Sequence, residues 1–286
     1  MYQLSKVKVV HNGPLCESRK DHEISMRIIG FINWKGGVGK TCTALNTSYL
    51  FAQSGLKVLV IDADKQGNIS YWFGADQPRL TFSDILLNDM DASEVIQHTR
   101  YPNIDIIPSD ASLIQANYSV LMDKEKAQHD ILKHALESVM DDYHICIVDN
   151  PPDSNIPVLN CLTVMDDIIA VTLPNRFSIA GIKQLQEEID NYNEALRLSL
   201  KIRGVVINQY TTECSAIWQE LSARYNMFPT LRGGKNTQKW LDRVVNSQKS
   251  IFEICPNSGY ARDIRRFGSK LAEVIESDVT GQEVLW

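Results

Sequence analysis

The 286-residue chain is 44% hydrophobic and 22% charged, a balance that excludes disordered, collagen-like and coiled-coil architectures and predicts a real core. Its formal net charge of −6 argues against a surface coated for nucleic acid, and no apolar run approaches the roughly 18 residues of a membrane span. The charge is uneven: nine basic and three acidic residues lie between Arg232 and Lys270, leaving 20 basic against 32 acidic elsewhere. The six cysteines (Cys16, Cys42, Cys146, Cys161, Cys214, Cys255) form no Cys-x-x-Cys pair and read as reduced, mostly buried thiols. The N-terminus lacks the long apolar segment of a signal peptide, so a cytoplasmic location is expected.

In chain order, residues 1–24 mix charge with Gly13-Pro14 and show no sustained periodicity, and they are expected to form an N-terminal arm. From about Met26 short apolar runs alternate with longer helical ones. Strands are predicted at 27–33, 57–62, 104–108, 145–149, 168–173, 202–208 and 228–231. Helices are predicted at 40–54, 81–88, 111–140, 156–165, 178–197, 213–226, 236–247 and 259–276. Most strand runs are continuously apolar rather than alternating, as strands covered on both faces require. The predicted class is α/β: a P-loop NTPase-like, mostly parallel twisted sheet with helices on both faces, and residues 25–286 as one domain.

The first strand runs into Asn33-Trp34-Lys35-Gly36-Gly37-Val38-Gly39-Lys40-Thr41 and then a helix. In that context the glycines let successive N–H groups turn inward around phosphate oxygens, and the helix N-terminus adds its dipole. Lys40 is placed to reach β- and γ-phosphates and the Thr41 hydroxyl to ligate Mg²⁺. The common loop has glycine where this chain has Trp34, and it does not require Lys35.

The second strand closes on Asp62-Ala63-Asp64-Lys65-Gln66-Gly67-Asn68, whose two aspartates, two residues apart, project to the same side. The fourth ends Val148-Asp149-Asn150-Pro151-Pro152, the hydrophobic strand followed by Asp that holds Mg²⁺ through water.

The string KGGVGKT with its extra upstream lysine resembles the deviant Walker A box of the ParA/MinD family of partition and positioning ATPases. The ordered boxes after it make the likeness specific; Gln66-Gly67-Asn68 and Pro151-Pro152 look more like ParA than MinD, and an N-terminal arm of about 25 residues, too short for a helix-turn-helix domain, resembles the short ParA type. The resemblance implies that ATP and Mg²⁺ are the cofactors and that Lys35, Gly36, Gly37, Val38, Gly39, Lys40, Thr41 and Cys42 contact nucleotide. It also implies that Asp64 orients the attacking water, while Asp62 and Asp149 with Thr41 support the metal. Asn208, ending a strand, and Pro256 correspond to groups that flank adenine in relatives, although an Asn at a strand end also forms turns. Relatives usually have Thr where Asn150 stands; an amide can donate to a phosphate or water without reproducing a hydroxyl's geometry.

By the same resemblance two subunits form an ATP-dependent homodimer in which Lys35 of one reaches the phosphates of the other. The dimer would bind double-stranded DNA without sequence preference, and so associate with the nucleoid, until a ParB-type partner stimulates hydrolysis. The basic C-terminal segment supplies candidate DNA contacts at Arg232, Lys235, Lys239, Arg243, Arg262, Arg265 and Arg266. A membrane-positioning ATPase is disfavoured by the acidic tail after Glu276, and an iron–sulfur carrier by the unpaired Cys146 and Cys161. A nucleotide-gated adaptor with little turnover and no DNA role remains the alternative.

Overall fold

The structure, a computed structural model, describes residues 26–126 and 128–280. The expected arm at 1–24, with Cys16, lies outside the described residues. Among the described residues there are seven strands: β1 (Arg27–Ile32), β2 (Val58–Asp62), β3 (Gln97–His98), β4 (Ile104–Ile107), β5 (Ile145–Asp149), β6 (Asp167–Thr172) and β7 (Ile202–Ile207). They form one sheet in the order β3-β4-β2-β5-β1-β6-β7, with β3 antiparallel to β4 and the other neighbours parallel.

The helices are α1 (Lys40–Gln53), α2 (Asn68–Phe73), α3 (Phe82–Asn88), α4 (Ala92–Val95), α5 (Leu113–Met122), α6 (Ile131–Leu136), α7 (Ile156–Val164), α8 (Arg176–Leu196), α9 (Ser215–Ser222), α10 (Lys235–Ser247), α11 (Ile251–Ile254) and α12 (Gly259–Thr280). Strand side chains alternate between two cores. Leu59, Ile61, Cys146, Val148, Ile168 and Ala170 face α3 to α9. Val58, Val60, Ile145, Ile147, Ile169 and Val171 face α1, α2 and α10 to α12. Burial on both faces is why the strand sequences read as unbroken apolar runs, and the architecture is the α/β one expected.

Several elements depart from expectation. The helix expected over 111–140 is broken between α5 and α6. The Asp123 carboxylate takes the Glu125 N–H, and the Asn160 side chain accepts from Leu132 N–H and donates to the Gln128 carbonyl, replacing helical bonds. The run 228–231 is no strand, because Pro229 has no N–H to give a ladder; it lies beside β7 through the bonds Phe228 N–H to Val205 O and Leu231 N–H to Ile207 O, with isolated bridges at Met227 and Arg232 on either side. Among the described cysteines, Cys146 and Cys161 are buried while Cys42, Cys214 and Cys255 are half-buried, and all five are free thiols, so burial is less general than expected.

Candidate functional site

The C-terminal edge of the parallel strands gathers the motif residues. After β1, Asn33 ties down the loop: its side-chain amide donates to Val171 O (2.7 Å), its oxygen accepts from Lys35 N–H (2.8 Å), and its carbonyl accepts from Lys40 Nζ (3.0 Å). Gly39 sits at φ +97°, and a Cβ there would lie 2.1 Å from Asn208 Nδ2. Only glycine satisfies both the left-handed backbone and this close approach. Lys40 opens α1 and is 6% exposed; burial lowers its pKa, opposed by the Asp149 and Asp64 carboxylates.

The β2–β5 register places Asp62 opposite Asp149. Asp62 is fully buried and accepts from Asp64 N–H (3.0 Å), Ser70 N–H (3.0 Å) and Ser70 Oγ (2.6 Å). Burial pushes its pKa up to about 7 against those bonds. Its carboxylate therefore shapes the loop that carries Asp64. Ser109, at the end of β4, locks the same loop by donating to the Asp64 carbonyl (2.6 Å). Asp149 differs: neither buried oxygen makes a hydrogen bond of full geometry. Burial and the Asp62 carboxylate raise its pKa well above the ordinary range, while the Thr41 hydroxyl and Lys40 ammonium pull it down.

Beside these groups is a cavity of about 400 Å³, lined by residues 36–42, Asp64, Tyr71, Asn150, Pro152 and Val245 among others. That is the size of a small-molecule site. The loop residues Gly36 to Cys42 and Asp64 thus meet in one place, with Asp62 and Asp149 at the strand ends behind.

Three expected residues lie elsewhere. The Lys35 ammonium is 5.8 Å from the centre of the Phe177 ring, itself 79% exposed at the start of α8, and so turns away from its own cavity. Asn208 is 2% exposed and braces the loop from behind, its amide N–H on Val38 O (2.9 Å) and its oxygen on Gln209 N–H (2.9 Å). The Pro256 carbonyl accepts from Arg265 Nη1 (2.8 Å).

The basic segment separates into two groups. Arg232 forms a paired bond to the buried Asp263 carboxylate (2.6 and 3.0 Å), and Arg266 reaches the same group, so both hold the fold together. Arg262 bonds to Asn257 O, and Arg265 lies over the Phe252 ring. Lys235, Lys239 and Arg243 project from α10 as exposed side chains. Asn33, Ser70 and Ser109 were not singled out from sequence: Asn33 carried a signal as the residue joining β1 to the loop, but Ser70 and Ser109 are legible only once β2 and β4 are known to be neighbours.

A family model described as AAA domain matches residues 26–202. The chromosome partitioning protein ParA of Caulobacter vibrioides is 33% identical over 189 residues, 65% of this chain and 70% of the relative. The sporulation initiation inhibitor Soj of Bacillus subtilis is 33% identical over 184 residues, 63% and 72%. Among solved structures, a cobyrinic acid a,c-diamide synthase of Mycobacterium smegmatis with bound ADP and magnesium superposes with a TM-score of 0.75 at 23% identity, over 91% of this chain and 98% of that one, a likeness of fold. Loop, aspartates and relatives agree: the chain belongs to the AAA domain family and, within it, to the ParA family of partition ATPases.

Proposed function

We propose that residues 25–286 form one ATPase domain, which dimerises on ATP, binds duplex DNA without sequence preference, and partitions a plasmid or chromosome with a ParB-type partner that stimulates hydrolysis. The observation that carries this reading is the opposite disposition of the two loop lysines. Lys40 is drawn inward onto the Asn33 carbonyl, while Lys35 is exposed beside Phe177, which supports a role for it toward a neighbouring subunit.

The site fits ATP with Mg²⁺. The loop backbone is open to a phosphate chain at a helix N-terminus, and Asp149 offers two buried oxygens that make no hydrogen bond of full geometry. Among the described residues no cluster of three or more His, Cys, Asp or Glu could hold a metal alone, so the ion's other ligands would come from phosphate and water. Thr41 and Asp149 would hold Mg²⁺, which when bound neutralises charge on the phosphates.

The chain's own groups supply the rest. The loop N–H groups and Lys40 fix the phosphates, and Asp64 orients the attacking water from a loop held by Asp62, Ser70 and Ser109. Lys35, arriving from the other subunit, stabilises the charge that develops on the transferred phosphoryl, so hydrolysis depends on assembly. The exposed face of α10 contributes DNA phosphate contacts. No helix among the described residues is long and apolar enough to cross a membrane.

The test is binding to random-sequence duplex DNA without nucleotide, with ADP, and with ATP or a slowly hydrolysed analogue, for wild type and Lys35→Ala. Binding that appears only with ATP or its analogue, weakens with salt and disappears in the variant is the expected result. An ATP-dependent dimer that ignores DNA at every salt concentration would establish the adaptor reading instead.

A further inference from the structure

We propose that Asn150 positions the attacking water through its side-chain oxygen, an inference that rests on the ATPase reading above. Asn150 follows the β5 aspartate, is 1% exposed and lines the same cavity as Asp64, Lys40 and Thr41. Its amide nitrogen faces two strand carbonyls, Phe31 O (3.3 Å) and Val148 O (3.4 Å). Rotating the amide by half a turn would set its oxygen against both carbonyls, so the hydrogen-bond network itself fixes which atom faces which way. The oxygen is then buried with no hydrogen-bond partner.

A buried, unpartnered amide oxygen demands a donor. A phosphate oxygen has no proton to give, and an acceptor held beside it repels it. The Lys40 ammonium is already drawn to the Asn33 and Lys35 carbonyls. Water is the remaining donor that ATP hydrolysis brings to this cavity. The sequence alone suggests Asn150 as a donor to phosphate or water; with its N–H groups directed to strand carbonyls, the group left for water is the oxygen, an acceptor. Asp64 and Asn150 together would fix the water's orientation.

In the step itself, the water oxygen forms a bond to the γ-phosphorus as the bridging P–O bond breaks and its electron pair leaves with ADP. The water's proton passes to an oxygen of the product phosphate, and Asn150 gains and loses none.

The test compares Asn150→Leu, which keeps the shape but removes the acceptor, with Asn150→Thr, which restores an acceptor oxygen. Three quantities are measured: turnover, affinity for a fluorescent non-hydrolysable ATP analogue with Mg²⁺, and affinity for ADP with aluminium fluoride, which mimics the phosphoryl group with water in line. The expected result for Asn150→Leu is a loss of about tenfold or more in turnover and in aluminium fluoride affinity, with analogue affinity within about threefold of wild type. Asn150→Thr recovers most of both losses. If Asn150→Leu does not fold, Asn150→Ala removes the same oxygen without bulk and carries the test.

Wild-type turnover in the Leu or Ala variant overturns the inference, as does a parallel loss of analogue affinity, which would make Asn150 a nucleotide ligand. A wild type that neither binds nor hydrolyses ATP overturns the ATPase reading and this one with it.

Discussion

At the scale of single residues, the site is held by side chains whose contacts are short and few. Gly39 is the clearest case, because its positive φ and its contact with Asn208 exclude a side chain for two separate reasons. Gly39→Ala is therefore expected to cost about 1–3 kcal/mol in chemical denaturation and to lower ATP-analogue affinity by at least about tenfold. Asp263 gives a pH-dependent prediction. Burial works to raise its pKa, but the Arg232 and Arg266 bonds outweigh it and hold the carboxyl below its ordinary 3.8. The folded state then binds fewer protons than the unfolded state in acid, so this contribution is present above pH 3.8 and is lost as the pH falls through the depressed value. Asp263→Asn should flatten the decline of stability with pH below about 4, measured by denaturant unfolding across a pH series. An unchanged acid limb would show that the Asp263 pairs do not set it.

At the scale of elements, α12 closes the second core. Phe267 packs its ring 6.2 Å from Phe31 on β1 and 5.2 Å from Phe228, joining helix, strand and the irregular segment after α9. Phe267→Ala should destabilise by about 3–5 kcal/mol, because three rigid elements cannot collapse into the space. A change under about 1 kcal/mol would mean that the rings are not tightly packed. Long amphipathic helices are legible because one-sided burial imposes a period on their sequences, and β1, β2, β4, β5, β6 and β7 because burial on both faces makes each a short unbroken apolar run. The short α2, α4 and α11 are not, since four to six residues show no period. The break between α5 and α6 depends on Asn160, a side chain from α7 that no local pattern announces.

At the scale of the whole molecule, charge is sorted by tertiary contact. One sequence segment supplied all the basic candidates, yet Arg232 and Arg266 are committed to Asp263 while Lys235, Lys239 and Arg243 project outward from α10. Replacing those three α10 residues with Glu should abolish ATP-dependent DNA binding while changing stability by less than about 0.5 kcal/mol. Arg232→Ala should behave in the opposite way, costing stability on the order of 1–2 kcal/mol by removing two of the bonds to a buried carboxylate and leaving it to Arg266, with DNA affinity of the folded fraction retained. Gel-shift titration beside thermal unfolding separates the two. DNA binding that survives the triple substitution would move the interface elsewhere.

The sequence alone determined the sheet-and-helix class, the glycine-rich loop and the aspartates at the strand ends beside it, because a glycine-rich turn between strand and helix, and carboxylates at strand ends, are local chemistry. Which atoms those residues present was decided only by the fold. Lys35 faces outward, Asn208 braces the loop, and Asn150 turns its amide N–H groups to strand carbonyls, since each of these directions is set by a carbonyl or ring contributed by another element. Strand order brings Ser109 to the Asp64 loop and Asp263 to Arg232, contacts between residues far apart in the chain that no spacing rule encodes.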